Sequence, residues 1–299
     1  MDQVTPRRPR SVAEMHAMQG RLFNPEQIGA SIQSYRPRPT DVVISPFAKC
    51  GTTWLQQAFH TLRTRGDMDF DDISRVVPWI ETAKGCGIDV EAPQRAEPRG
   101  FKSHLAYDLI PKGARYVVSL REPKDAHVSF FHFMEGWMLE PGSVTVGDFV
   151  ESSIAQRGNG RDYWHHLLTW WEQRDNPNVL LLSYEHMSVE PELHIRRLAK
   201  FCGIALDDAL LKLTLERSSL AFMLAHKDRF DDLLMRSLSE RLGNIPPGSD
   251  SAKVREGRVG KNRQELPQRV ADEMDRIWRE TITPKLGFAD YAALAKALL

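Results

Sequence analysis

DVVISPFAKCGTTWLQQAFHTLRTRG, residues 41–66, reads as a strand, a loop and a helix in succession. Val42, Val43 and Ile44 form a β-branched run after Pro39 and Asp41, which predicts a short buried strand within 41–47. From Thr52 onward the apolar residues Trp54, Leu55, Ala58, Phe59 and Leu62 recur at helical spacing, and Gly66 is the expected C-cap. The intervening PFAKCG holds the chemistry. A glycine-containing loop opening onto a helix N-terminus makes an anion site, because the first backbone N–H groups and the helix dipole both favour negative charge. Lys49 adds a mobile cation, and Thr52 and Thr53 add hydroxyl donors. The spacing is not that of the G-x-x-x-x-G-K-[ST] phosphate loop, since the lysine precedes the glycine. A plain strand–helix turn capped by a threonine remains an alternative on this stretch alone.

A second unit of the same kind follows. SLREPKDAHVSFFHF (119–133) runs from the strand RYVVSLR (115–121) into a helix with Pro123 near its start. Arg121 stands at the strand's carboxyl end, where open α/β sheets bind ligands. Ser129 lies about two helical turns further on. A guanidinium fork and a hydroxyl suit phosphate oxygens, although pairing of Arg121 with Glu122 or Asp125 is an equal alternative for this unit alone. RGFKSHL (99–105) and NVLLLSYE (178–185) are two more short strands, and 161–175 and 191–204 are amphipathic helices. Lys102 and His104, two apart on a strand, would share a face. Short apolar strands alternating with helices predict an α/β fold, a central parallel sheet flanked by helices.

Residues 1–40, rich in Arg, Pro and Gln, are expected to form a peripheral arm with a short helix around Val12–Gln19, leaving 41–299 as a single α/β domain. The stretch from about 225 to 260 is rich in Gly and Pro toward its end and is expected to be a mobile cover. Forty basic residues balance forty acidic ones, which excludes a chain-wide electrostatic footprint for nucleic acid or an anionic membrane. Three scattered cysteines, Cys50, Cys86 and Cys202, without a CxxC, indicate neither a disulfide framework nor a zinc knuckle. No segment reads as a signal peptide or a membrane span, so a cytoplasmic protein is expected. His165 and His166 diverge on a helix and are not read as a metal pair, and no metal is expected.

Taken together, the blocks resemble the cytosolic type of PAPS-dependent sulfotransferase, PAPS being 3′-phosphoadenosine 5′-phosphosulfate. PFAKCGTTW resembles that family's 5′-phosphosulfate loop, YPKSGTTW, and REPKDAHVSFFHF its 3′-phosphate segment, RNPKDxxVSxYHF. RGFKSHL with the later LIP resembles the KTHLPxxLLP block, LLLSYEHM the block with an adenine-contacting Tyr, and REGRVG the late RKGxxGDWK loop. The five blocks keep the family's order from about residue 41 to 265.

The resemblance implies a P-loop-like nucleotide-binding core and sulfuryl transfer from PAPS to a hydroxyl or amine of a small apolar acceptor, with adenosine 3′,5′-bisphosphate (PAP) as product. It implies that Lys49, Cys50, Gly51, Thr52, Thr53 and Trp54 hold the 5′-phosphate and the adenine. Arg121 and Ser129 would take the 3′-phosphate, Tyr184 the adenine, and Arg255 and Gly257 would close over the 3′-phosphate. His104 would be the general base with Lys102 beside it, and Lys49 would stabilise the leaving oxygen.

Cys50, Glu256 and Leu220 depart from the pattern, standing where Ser, Lys and an adenine-stacking Phe are usual. KNR (261–263) replaces DWK, and the C-terminal stretch lacks the motif many members use to dimerise, although a homodimer is not excluded. The competing readings are a small-molecule kinase, which would want a Walker lysine and an Mg²⁺-binding Asp, and a nucleotide-binding module without catalysis.

Overall fold

The structure is a computed structural model and describes residues 5–251, 253–254, 260 and 262–299. Four parallel strands form its centre: β1 (Val42–Ile44), β2 (Gly100–Lys102), β3 (Arg115–Leu120) and β4 (Val179–Ser183), in the spatial order β2-β1-β3-β4. Val42 pairs with Gly100 on one side and Arg115 on the other, and Leu120 pairs with Ser183. All four strands therefore end at one edge of the sheet.

Both faces of the sheet are buried, as a parallel sheet requires. Val43, Phe101, Tyr116 and Val118 enter one core, while Val42, Ile44, Val117 and Leu182 enter the other. The helices are α1 (Val12–Leu22), α2 (Pro25–Ser34), α3 (Thr52–Thr64), α4 (Ile73–Val76), α5 (Pro123–Trp137), α6 (Val146–Ala155), α7 (Tyr163–Trp171), α8 (Tyr184–Val189), α9 (Pro191–Cys202), α10 (Asp208–Arg217), α11 (Leu220–Ala225), α12 (Leu233–Gly243), α13 (Gln268–Thr281), α14 (Thr283–Leu286) and α15 (Tyr291–Lys296). α3 ends one residue before the expected cap: Arg65 takes the left-handed conformation at φ 56°, and Gly66 follows at φ 100°.

At the opposite end of the sheet a buried ion pair fixes the strand starts. Arg99 donates to both carboxylate oxygens of Asp41, at 2.9 and 2.7 Å, and the Tyr35 hydroxyl donates to the same carboxylate at 3.0 Å. A bidentate guanidinium and a third donor satisfy a carboxylate that would otherwise be costly to bury.

The N-terminal residues, expected as a peripheral arm, contribute to the larger core: Met15, Met18 and Leu22, spaced three and four apart, are buried there, and Ser11 caps α1 by accepting from Glu14 N at 3.2 Å. The span 225–260, expected as a cover, also contains a core helix. α12 buries Met235 and Leu238 in the same core and packs against α1, so close that a Cβ on Gly243 would lie 3.3 Å from Met18.

Candidate active site

The carboxyl ends of the four strands open into one cavity of about 820 Å³. β1 feeds the loop Ser45–Cys50, whose geometry depends on two left-handed residues, Lys49 at φ 65° and Gly51 at φ 96°. Gly51 has no substitute in this position. A Cβ there would sit 2.9 Å from the Tyr184 ring, in a backbone conformation that other residues rarely adopt. Two contacts pin the loop from β3: Ser119 Oγ donates to the Cys50 carbonyl, and Arg121 Nη1 donates to the Lys49 carbonyl at 2.8 Å.

α3 then starts with Gly51 as its N-cap and no side chain capping it. Gly51, Thr52, Thr53 and Trp54, at this helix N-terminus, line the cavity, and the buried Thr52 hydroxyl has no protein partner. An uncapped helix N-terminus, a glycine-width cradle and an orphaned hydroxyl fit a phosphate group. Arg121 is buried, and its guanidinium lies 4.3 Å over the Tyr184 ring, which meets Trp54 edge-on at 5.9 Å. Ser129, one face of α5, lines the same cavity, as does Leu220 at the start of α11. The carboxylate of Asp125 accepts from the backbone of Gly260 at 3.0 Å and of Arg263 at 2.9 Å, tying the chain after residue 259 to the start of α5.

At the other end of the cavity β2 delivers Lys102 and the loop after it delivers His104. The Lys102 side chain is buried with its ammonium 4.1 Å over the Trp79 ring, and burial pushes its pKa down to about 8 against the pull of Asp232. His104 faces the Pro46 carbonyl with Nδ1 at 2.8 Å. A carbonyl only accepts, so Nδ1 carries the proton and Nε2 is left as a base. Burial first, and then the Lys102 cation, hold the imidazole well below its ordinary pKa. Its backbone N–H donates to Glu81 at 2.7 Å, and Trp79 meets the ring edge-on at 5.2 Å. Lys49 Nζ lies 4.5 Å over the Phe133 ring. Phe47, Phe130, Phe133, Trp137 and Trp164 give the remaining wall its apolar, aromatic character.

The cavity thus gathers Lys49, Gly51, Thr52, Thr53, Trp54, Lys102, His104, Arg121, Ser129 and Tyr184. Cys50 is not among them. Its side chain is fully buried in the core, with a thiol that burial pushes up to about 12, so it offers the cavity neither charge nor donor. Arg255 and Gly257, and with them Glu256, lie outside the described residues. The sequence reading missed Trp79, Glu81, Asp232 and Lys253. Trp79 and Glu81 sit in ISRVVPWIE (73–81), whose pattern is ambiguous, and no local pattern marks Asp232 or Lys253. Among the described residues no cluster of His, Cys, Asp or Glu could hold a metal ion, and no helix is long and apolar enough to cross a membrane.

Comparison with known proteins agrees with this arrangement. A sulfotransferase domain model matches residues 39–285. Human sulfotransferase 1C2 is 25% identical over 283 residues, covering 89% of this chain and 92% of the relative. Mouse sulfotransferase 1B1 is 29% identical over 203 residues, covering 64% of this chain and 68% of the relative. Among solved structures, a retinol dehydratase in complex with androsterone and the inactive cofactor PAP superimposes with a TM-score of 0.71 at 18% identity, over 92% of this chain and 95% of that one. Mouse sulfotransferase SULT7A1 complexed with PAP gives a TM-score of 0.66 at 20% identity, over 92% and 94%. With a family model spanning its sheet and every wall of the nucleotide end of the cavity, the chain belongs to the sulfotransferase family.

Proposed function

We propose that the cavity moves a sulfuryl group from PAPS to a hydroxyl, or an amine, of a small apolar acceptor, with His104 as general base. The observation that carries this reading is the state of His104: an imidazole fixed in the Nδ1–H tautomer, held unprotonated by burial and by Lys102, in the same cavity as an uncapped helix N-terminus.

The residues divide the work. The first turn of α3, with Thr52 and Thr53, would hold the 5′-phosphate, and Arg121 with Ser129 the 3′-phosphate. Trp54 and Tyr184 would frame the adenine. The aromatic wall around Phe133 and Trp137 would exclude water and seat the acceptor. His104 Nε2 would take the acceptor's proton as the acceptor oxygen bonds to sulfur. The bond from sulfur to the bridging oxygen breaks, and its electron pair leaves with PAP. Lys49 would offset the charge gained by the bridging oxygen, a contribution made mostly in the transition state. Arg255 and Gly257 remain assigned to the 3′-phosphate by resemblance alone.

A kinase reading has no support in the site, which lacks a Walker lysine. Cys50, Cys86 and Cys202 are free thiols, which suits our reading of the protein as cytoplasmic. Transfer from radiolabelled PAPS to a panel of apolar alcohols is the test. His104→Ala should lower turnover roughly 10²- to 10⁴-fold while leaving PAP binding intact. Near-normal turnover on a weakly acidic alcohol would remove His104 from the role of base.

A further inference from the structure

Asp232 breaks the ordinary rule for its position. It stands at the N-cap of α12 in a left-handed conformation, φ 49° and ψ 44°, yet makes no side-chain cap. An N-cap aspartate normally accepts from the first turn of its own helix. Here Asp72, fully buried, does so instead, accepting from Leu234 N at 3.0 Å while its other oxygen caps α4 through Ser74 N at 2.8 Å. The carboxylate of Asp232 is thereby released toward the cavity. It lies 2.5 Å from the Lys253 ammonium and 3.8 Å from that of Lys102, with all three side chains nine-tenths or more buried. A buried charge in a sparsely populated backbone conformation persists where its surroundings over-determine it, and such positions cluster at functional sites.

We propose that Asp232 is a positioning residue for sulfuryl transfer: it holds the Lys102 ammonium against Trp79 beside His104, and by binding Lys253 it fastens the chain before residue 255 across the catalytic end of the cavity. The assignment rests on the functional reading above. The titratable groups facing Lys102 come from several elements: the charges of Asp232, Lys253, Asp72 ahead of α4 and Glu81 after it, together with the neutral Cys86 thiol and the neutral His104 imidazole beyond β2. Asp232 stabilises the ammonium against the desolvation that pushes it down to about 8, and Lys253 opposes it. Asp232 also shares its charge between the two lysines, so removing either partner redistributes it.

The test is a titration of Lys102 in protein carrying carbon-labelled lysine, with Lys102→Arg assigning the resonance. Asp232→Asn, nearly isosteric, should move the Lys102 midpoint down by on the order of one pH unit, the size expected for one close buried charge. Lys253→Met should move it up. Opposite shifts from two substitutions at one cluster are not produced by general loosening. The alkaline limb of PAPS-dependent turnover should follow in the same order. Coincident midpoints in wild type and Lys253→Met, or shifts of one sign in both variants, would overturn the assignment, and Lys253→Met alone decides it if Asp232→Asn does not fold. The titration needs no turnover. If opposite shifts are found but no alcohol is sulfated, the reading of the cavity fails while the charge pairing stands.

Discussion

Arg121 donates from its guanidinium to the backbone carbonyl of Lys49 at 2.8 Å, while its flat face covers Tyr184 at 4.3 Å. One side chain thus joins the ends of β1, β3 and β4. Its hydrogen bond holds the left-handed turn that carries Lys49. Under the proposed function its charge would serve the 3′-phosphate, so that one residue would couple nucleotide binding to the placement of Lys49.

Arg121→Ala is therefore expected to act twice. PAP should bind about 10- to 100-fold more weakly, the range for losing a charge-assisted contact, whereas AMP, lacking the 3′-phosphate, should lose less. Calorimetric titration with both nucleotides is the measurement. Equal affinities of wild-type protein for PAP and AMP would contradict the assignment of Arg121 to the 3′-phosphate.

Gly51→Ala places a methyl 2.9 Å from the Tyr184 ring at φ 96°. The left-handed conformation alone costs about 1–2 kcal/mol for a residue with a Cβ. Thermal unfolding should shift down accordingly. PAP affinity should also fall, since Tyr184 must move away from Arg121 and Trp54. A variant with wild-type PAP affinity would show that the turn's glycine is needed for folding alone.

The strand–loop–helix of 41–66 was legible because its signals are local: three β-branched residues, a glycine turn and a helical apolar stripe. The same holds for Arg121 at the end of β3. A helix around Val12–Gln19 was legible, but the burial of Met15, Met18 and Leu22 was not, because it involves packing with α12, far along the chain. Cys50 was assigned to the ligand by its neighbours, yet the two left-handed residues flanking it turn its side chain into the core. Asp232 was invisible for a related reason. Its role depends on Asp72 taking over a cap, a relation between remote residues that no periodicity records.

His166 should make stability fall with acid. Burial pushes its pKa down to about 3, with the hydrogen bond to the Ser45 carbonyl opposing the shift only in part. The unfolded chain takes up this proton near pH 6.5 and the folded chain does not, so full stability holds above 6.5 and is lost as pH falls toward 3. The slope approaches about 1.4 kcal/mol per pH unit below 6.5. Urea unfolding of wild type and His166→Gln at pH 7 and pH 5.5 isolates this group. The variant should show the shallower loss on acidification, and equal losses would mean that His166 titrates alike in both states.

Leu220 offers the complementary change, a gain. It is 40% exposed, at the start of α11, and lines the nucleotide end of the cavity with Ser218, Ser219, Trp54 and Tyr184. A leucine there meets an adenine by contact area alone. Leu220→Phe would add an aromatic face, worth about 0.5–1.5 kcal/mol beyond area when rings stack or meet edge-on. Its Ser219-capped helix need not move, because Ser219 accepts from Phe222 N independently of the next side chain. PAP should therefore bind about 2- to 12-fold more tightly. Inorganic pyrophosphate, which has no base, should bind the two proteins alike, so the pair of ligands locates the gain. Tighter PAP with unchanged pyrophosphate would place the adenine between α11 and the Trp54–Tyr184 pair. An equal gain for both ligands, or none for PAP, would move the adenine elsewhere in the cavity.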